Sequence, residues 1–199
     1  TKVLLKQQGF NVPEGVLHTN AKSATEDFGR FMGQDVVIKP KSTNFGVGIS
    51  IIKSLDSISE FRTAIELAFS FGDSILIEEF IEGKEYRFLV IDDQVRGVLH
   101  RMAANVVGDG KRSIMELVEE KNRNPLRGVG YKKPLEQIRL GSIEKLYLAN
   151  QDLTIESVPA AGERIFLREN SNISTGGDSI DYTDEMADAY KELASQAVK

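Results

Sequence analysis

The 199-residue sequence contains no cysteine. This absence excludes disulfide bonds, thiolate catalysis and metal sites with cysteine ligands. Histidine is scarce as well: His18 and His100 lie too far apart for ligand spacing, so we interpret them as surface or packing residues. No apolar run approaches the roughly 20 residues of a membrane-spanning helix, and the first residues do not form a signal peptide. We therefore expect a cytoplasmic protein that does not associate with membranes.

The sequence also lacks a block of like charge. It carries 25 lysine and arginine residues against 30 acidic residues, for a net charge of −5. This balance does not favour a nucleic-acid-binding surface, although a local basic pocket is compatible with it. The hydrophobic share of 41% suits one large domain or two small lobes with real cores. Because the sequence begins on Thr1 and closes within a helical pattern, we expect a piece of a longer protein.

Helical and strand patterns alternate without regular βαβ order, which indicates an α+β fold in two lobes. Helices are predicted to begin at Ser23, Ser57, Ser113 and Thr183, since each residue can cap the pattern that follows. The stretch from Arg123 to Pro134 mixes glycine, proline and basic residues and is predicted to be an exposed loop. Strands are predicted over 35–39, 49–53, 74–79, 86–91, 95–99 and 165–167.

The stretch "VVIKPKSTNFGVGIS" ends an apolar strand on Lys39 and then places Gly46 and Gly48 in a connecting loop. Glycine lets the backbone approach closely, and the N–H groups of such loops bind anionic oxygens, so the stretch is typical of a phosphate site. The lysine precedes the glycines, in the reverse of the order in a P-loop. From these residues alone, a simple hairpin remains the alternative.

A second stretch, "LIEEFIEGKEYRF", predicts two strands joined by a turn. Strand alternation puts Glu85 and Arg87 on one face, where the carboxylate could accept from ribose hydroxyls and the guanidinium could hold a phosphate. The alternative is a surface ion pair worth about 0–1 kcal/mol. A third stretch, "LRENSNISTGGDSID", crowds Arg168, Asn172 and other donors before a glycine pair. It suits an anion or a substrate carboxylate, or else an ordinary polar turn.

Together these stretches resemble the ATP-grasp ligases. The first is similar to that family's strand lysine and glycine-rich phosphate loop, and the second to its strand and hinge for adenine and ribose. Nearly the whole sequence resembles the glutathione synthetase half of the bifunctional enzymes that fuse glutamate–cysteine ligase to an ATP-grasp module. The resemblance implies an ATP-grasp fold that holds ATP between an N-terminal lobe, residues 1–80, and a partial C-terminal lobe, residues 81–199.

The resemblance also implies which residues contact the nucleotide. Lys39 would reach an ATP phosphate and the adenine edge, and Glu85 would take the ribose hydroxyls. Glu79 and Ile81 would bind adenine through backbone groups, while the 42–48 loop would close over the β- and γ-phosphates. The remaining implied contacts to ATP are Lys41, Ser42, Phe45, Gly46, Gly48, Glu78 and Phe80.

Four residues are implied in catalysis: Arg87, Arg101, Arg168 and Asn172. The first two would face the phosphates or the incoming carboxylate, and the turn from Asn172 to Gly177 would help hold the peptide or its acyl-phosphate. In the implied reaction, the cysteinyl carboxylate of γ-glutamylcysteine attacks the γ-phosphate of ATP. The amine of glycine then displaces phosphate from the acyl-phosphate to give glutathione.

The family's ligands for Mg²⁺, or alternatively Mn²⁺, are not found in this sequence. We expect them C-terminal to Lys199, on metal-binding strands that this chain lacks, and we expect residues 1–199 alone to be inactive. The parent protein would also carry an N-terminal glutamate–cysteine ligase domain, and whether it forms an oligomer stays open. Two rival interpretations are a cyanophycin synthetase and a non-catalytic nucleotide-binding module.

Overall fold

The computed structural model describes residues 2–43 and 47–198. The chain divides into two compact units that meet in sequence between Gly83 and Lys84, here called the N-terminal and the C-terminal unit. Within the described ranges, every helix is too short or too polar to cross a membrane. The mixture of helices and antiparallel strands has the predicted α+β character.

The N-terminal unit is a four-stranded antiparallel sheet packed against helices. The strands stand in the order β1-β4-β2-β3, and α4 contacts three of them as well as α2. Its helices are α1 (Lys2–Gln7), α2 (Ala21–Glu26), α3 (Phe28–Phe31) and α4 (Ile58–Phe69). Its strands are β1 (Gly15–His18), β2 (Val36–Pro40), β3 (Ser50–Ile52) and β4 (Ile75–Glu79).

Sequence periodicity explains how this unit forms its core. Phe61, Ile65 and Ala68 recur on one face of α4 and are fully buried, while the Ser57 hydroxyl caps the helix by accepting the N–H of Glu60 at 3.3 Å. Strand β2 alternates, with its apolar core-facing residues fully buried and Lys39 on the other face. The strand therefore presents its lysine away from the core.

The C-terminal unit contains smaller sheets around a second core. A three-stranded antiparallel sheet has the order β11-β6-β5, β7 pairs with β10, and β8 runs parallel to β9. Its strands are β5 (Glu85–Ile91), β6 (Gln94–Met102), β7 (Asn105–Val107), β8 (Arg127–Gly128), β9 (Leu135–Glu136), β10 (Arg164–Phe166) and β11 (Asp178–Asp181). Its helices are α5 (Ile114–Asn122), α6 (Ser142–Ala149), a 3₁₀ turn (Ile173–Thr175) and α7 (Asp188–Gln196).

The helix start predicted at Ser113 is confirmed, and it takes the form of a capping box. Its hydroxyl accepts the N–H of Glu116 at 3.3 Å, and the Glu116 carboxylate accepts the N–H of Ser113 at 2.8 Å. This cap fixes the start of α5, whose Ile114, Leu117 and Val118 are buried against β7 and β10 residues of the second core.

Three local predictions were wrong. The helix expected from Ser23 begins at Ala21 instead, because the Asn20 side chain accepts the Ser23 N–H at 2.8 Å, and the helical stretch breaks at Asp27. Thr183 does not open a helix. Its hydroxyl is engaged with the backbone of Val98 and with Asp181. The loop predicted over 123–134 contains β8 and is not uniformly exposed.

Candidate functional site

Lys39 projects from β2 toward Glu78 on the neighbouring strand. The two strands pair so that Val37 lies opposite Glu78, which makes Lys39 a diagonal neighbour of the carboxylate on the same face. Glu78 accepts from Lys39 through one oxygen and from Lys2 through the other. The Glu78 side chain is only 5% exposed. Burial acts to raise the pKa of Glu78. The hydrogen bonds and charges of the two lysines lower it by more than burial raises it, so the pKa of Glu78 lies below its ordinary value.

Gly15 makes room for this carboxylate on the far side of β4. The residue lies opposite Glu78 in the β1–β4 ladder, and a Cβ at Gly15 would stand 2.5 Å from the Glu78 Cβ. No side chain fits at that distance, so β1 can approach β4 only with glycine at this position. Gly15 was not predicted, because its role depends on a strand 63 positions away.

The loop after β2 contains several of the residues that were predicted to contact ATP. Lys41 donates its N–H to Ser74 and leaves an exposed side chain, and Ser42 is exposed too. Gly48 adopts a φ of +73°, and a Cβ there would stand 2.8 Å from the Phe71 ring. Both the left-handed backbone and this contact require glycine. Phe45 and Gly46, which were predicted to contact ATP, lie outside the described residues.

The segment after β4 offers backbone groups at the place predicted for adenine. The Phe80 N–H donates to Asp35 at 2.9 Å, and Lys53 lies 3.7 Å over the Phe80 ring. The Glu79 carboxylate accepts the N–H of Glu14 at 2.9 Å. Within the described part of the chain, the N–H of the next residue, Ile81, has no hydrogen-bond partner, and its side chain is 60% exposed. A free main-chain donor is therefore present for a ligand.

In the C-terminal unit, Glu85 and Arg87 share one face of β5, as alternation predicted. Both side chains are exposed, and Glu85 lies directly opposite Arg101 of β6. The Ser171 hydroxyl donates to the Glu85 carboxylate, while the carbonyl of Ser171 accepts from Arg101 at 3.1 Å. Glu85 and Arg101 therefore both form hydrogen bonds with Ser171, a residue that was not predicted from the sequence.

Arg101 is buried and forms no ion pair within residues 2–43 and 47–198. The residue is 9% exposed, makes no ion pair with a described residue, and leaves its Nε without a hydrogen-bond partner. Ser179 lies opposite Arg101 in the β6–β11 ladder, and its buried hydroxyl also lacks a hydrogen-bond partner in the described part of the chain. Buried cations and hydroxyls are normally paired, so these two groups are suited to an anionic ligand.

Arg168 and Asn172 occupy the third predicted segment, with different roles. Glu144 is 3% exposed and accepts from Arg168 Nε and from the N–H of Gly141 at 2.9 Å. The ion pair directs the guanidinium and balances its charge. The Asn172 carbonyl closes the glycine turn by accepting the N–H groups of Thr175 and Gly177 at 3.2 and 3.0 Å. The contacts of Asn172 thus shape the backbone of the turn.

Behind this turn is a polar network centred on Asp178. Its carboxylate accepts from Arg127, whose side chain is 1% exposed, from Lys121 at 2.6 Å and from Asn105 at 2.9 Å. Burial lowers the pKa of Lys121 below its ordinary value, and the ion pair with Asp178 opposes that shift. Arg127 also donates to the Gly176 carbonyl at 2.9 Å, which fixes the turn to the network.

Each unit carries a cavity. A solvent-open depression of about 620 Å³ lies on α2, α3 and α4, and none of the predicted residues lines it. A cavity of about 320 Å³ in the C-terminal unit is lined in part by Arg168. Among the described residues, no three histidine or acidic side chains come together as a metal site.

The RimK-like ATP-grasp domain family matches residues 1–122 of this chain. The glutathione biosynthesis bifunctional protein GshAB of Clostridium perfringens is 55% identical over 199 residues, and its counterpart in Listeria innocua is 51% identical. Both matches cover 100% of this chain and 26% of the relative. The chain thus spans about a quarter of the length of these relatives.

A solved structure is also similar to this chain. The crystal structure of a bifunctional glutathione synthetase from Pasteurella multocida is similar over 99% of this chain and 26% of its own, with 48% identity and a TM-score of 0.62. This likeness confirms the predicted ATP-grasp fold and the predicted kinship with the bifunctional enzymes of glutathione synthesis.

Proposed function

The chain belongs to the RimK-like ATP-grasp family, and from this premise we propose that it is the ATP-grasp part of an enzyme that joins γ-glutamylcysteine to glycine. The names of its relatives, which are 51–55% identical over the whole chain, support this substrate pair. The relatives are about four times as long and are called bifunctional, so we also propose that a glutamate–cysteine ligase domain accompanies the chain in a cytoplasmic protein.

The N-terminal unit offers groups that fit a nucleotide. Lys39 is held at the end of β2 by Glu78, so its charge is positioned before a phosphate arrives. The free N–H of Ile81 suits the adenine edge, and the left-handed Gly48 suits a loop whose N–H groups approach phosphate oxygens. If Lys39 left Glu78 to bind a phosphate, its positive charge would have an anionic partner before and after ATP binds.

The observation that carries the proposal is Arg101, a buried cation without an acidic partner among the described residues. A buried charge is costly unless an opposite charge compensates it. A phosphate or a substrate carboxylate would supply that charge. Because Glu85 lies opposite Arg101 and is exposed, it remains accessible for ribose hydroxyls.

We propose a reaction in two steps. The peptide carboxylate oxygen bonds to the γ-phosphorus as the bond to ADP breaks, and the glycine nitrogen then bonds to the acyl carbon as phosphate leaves. Lys39 of the N-terminal unit would offset part of the charge that develops on the phosphoryl group, which is the main task in phosphoryl transfer. When bound, Mg²⁺ would neutralise further phosphate charge, and its ligands are not identified among the described residues.

The test is ADP release by the full-length protein with Mg²⁺-ATP and γ-glutamylcysteine, with and without glycine. Glycine-dependent ADP release with formation of glutathione supports the proposal. Turnover only with aspartate- or arginine-extended polymer primers would make the protein a cyanophycin synthetase. Nucleotide binding without turnover on any of these substrates would favour a binding module.

A further inference from the structure

The 320 Å³ cavity of the C-terminal unit is lined by Glu144 and by three short segments, of which the third is distant in sequence from the first two. The first contributes Gly130 and Tyr131 and the second runs from Glu136 to Arg139. The third contributes Arg168 with the hydroxyl residues Ser174 and Thr175. All of these residues follow residue 122, where the match to the RimK-like family ends.

Buried contacts hold the walls of this cavity in place. Arg127 donates to the carbonyls of Glu136 and Gly176 at 2.7 and 2.9 Å. These hydrogen bonds connect the segment that begins at Glu136 to the turn that follows Thr175. Gly176 has a φ of +89°, and a Cβ there would stand 2.8 Å from the Ile138 Cα. The two segments therefore pack backbone to backbone, and a cavity built in this way is preorganised for a ligand.

The charges around the cavity leave one cation unmatched. Glu144 balances Arg168, and the Glu136 carboxylate accepts the N–H groups of Gly130 and Tyr131. Arg139 is exposed and makes no ion pair or hydrogen bond with any residue of 2–43 or 47–198. Only the Nε of Arg168 is used, so its two terminal nitrogens also lack partners within those ranges. Two guanidinium groups thus offer free donors to one small polar cavity.

We propose that Arg139 binds the α-carboxylate of the γ-glutamyl residue of the peptide substrate in this cavity, with Arg168 beside it. The inference rests on the proposed function. The peptide has two carboxylates, and the cysteinyl one must be free to attack ATP, so the other requires its own cationic partner. An arginine presents a planar pair of donors that matches a carboxylate, which makes Arg139 a specificity residue.

The experiment compares Arg139→Ala with the unaltered full-length protein by calorimetric binding and by KM. The first probe is γ-glutamylcysteine, and the second is 4-aminobutyrylcysteine, the same peptide without the α-carboxylate. Arg123→Ala is the matched control, since it removes one exposed arginine from the same unit outside the cavity. We expect Arg139→Ala to weaken binding of γ-glutamylcysteine about 10- to 100-fold and to raise its KM accordingly. Binding of the second probe should change by no more than about twofold. The KM for ATP should stay unchanged in Arg139→Ala. Arg123→Ala should bind both probes as the unaltered protein does.

Each other outcome overturns the inference in a recognisable way. If the unaltered protein binds γ-glutamylcysteine and Arg139→Ala binds it equally well, the role of Arg139 is wrong while the proposed function stands. Equal weakening of both probes would show that Arg139 acts on the fold and not on the carboxylate. If the unaltered protein neither binds γ-glutamylcysteine nor releases ADP with it, the proposed function fails first and the inference fails with it.

Discussion

Lys39 and Glu78 are joined by an ion pair across β2 and β4, and Lys2 of the first helix holds the second oxygen of the same carboxylate. The one buried carboxylate of Glu78 therefore forms ion pairs with two lysines from distant parts of the sequence. The two lysines and one carboxylate leave one net positive charge at the end of β2, which the proposed function assigns to a phosphate of ATP. It also makes the position of Lys39 depend on a residue that need not contact the ligand itself.

Replacement of Lys39 by alanine should weaken ATP binding by the protein about 10- to 100-fold, because a charge-assisted hydrogen bond to phosphate is lost. Fluorescence titration with a labelled ATP analogue measures this change. Lys6→Ala is the matched control, since Lys6 forms an ion pair with Glu14 at the exposed surface of the same unit. Equal affinities for all three proteins would show that Lys39 is not a phosphate ligand.

Glu78 should make the stability of the protein depend on acid pH. Burial acts to raise the pKa of this carboxyl, but Lys2 and Lys39 bring the net value below its ordinary 4.5. A lowered pKa in the folded state stabilises the protein above the unfolded pKa, and this stability is lost as pH falls below 4.5 through the folded pKa. The melting temperature of Glu78→Gln should therefore lie below that of the unaltered protein at neutral pH, and the two should converge in acid.

Thermal scans from neutral pH to below pH 4.5 test this convergence. Glu82→Gln serves as the control because Glu82 is an exposed glutamate of the same unit. A constant difference between Glu78→Gln and the unaltered protein at every pH would contradict the assigned ion pairs.

Arg127 should be far more important to stability than a surface arginine. Its side chain is 1% exposed and pairs with Asp178, whereas Arg123 is 75% exposed in its pair with Glu120. Arg127→Met should lower the free energy of unfolding by about 3–5 kcal/mol, since Asp178 loses a buried partner. Arg123→Met should change it by less than about 1 kcal/mol. Urea denaturation distinguishes the two, and similar small losses would show that Arg127 is not essential to the network.

Local patterns predicted the parts of the fold that depend on neighbouring residues. The caps at Ser57 and Ser113 were predicted because each involves a residue three positions away. The shared face of Glu85 and Arg87 followed from strand alternation alone. The position of Lys39 at the end of its strand followed from the apolar run that precedes it.

Long-range partners explain what the sequence did not reveal. Thr183 was predicted to cap a helix, but its hydroxyl accepts from Val98, 85 residues away, and α7 begins only at Asp188. Arg127 was placed in an exposed loop, yet Asp178 buries it from 51 residues away. Charged residues are normally exposed, so only knowledge of the partner could have reversed that prediction. The roles assigned to the site residues remain predictions.

Gly176 and Gly162 provide a test of how the turn beside the cavity is built. Their φ values are +89° and +83°, but a Cβ at Gly176 would meet the Ile138 backbone at 2.8 Å, while nothing lies within 4 Å at Gly162. Alanine at Gly162 should therefore cost only the left-handed backbone strain, about 1–2 kcal/mol. Alanine at Gly176 should cost about 1–3 kcal/mol more, because Ile138 must move.

Denaturant unfolding of both alanine variants measures this difference directly. Since Ile138 neighbours Arg139, Gly176→Ala should also raise the KM for γ-glutamylcysteine, whereas Gly162→Ala should leave it unchanged. Equal destabilisation by the two substitutions would mean that the turn does not pack against Ile138. The cavity would then lack the fixed wall on which its recognition of a carboxylate depends.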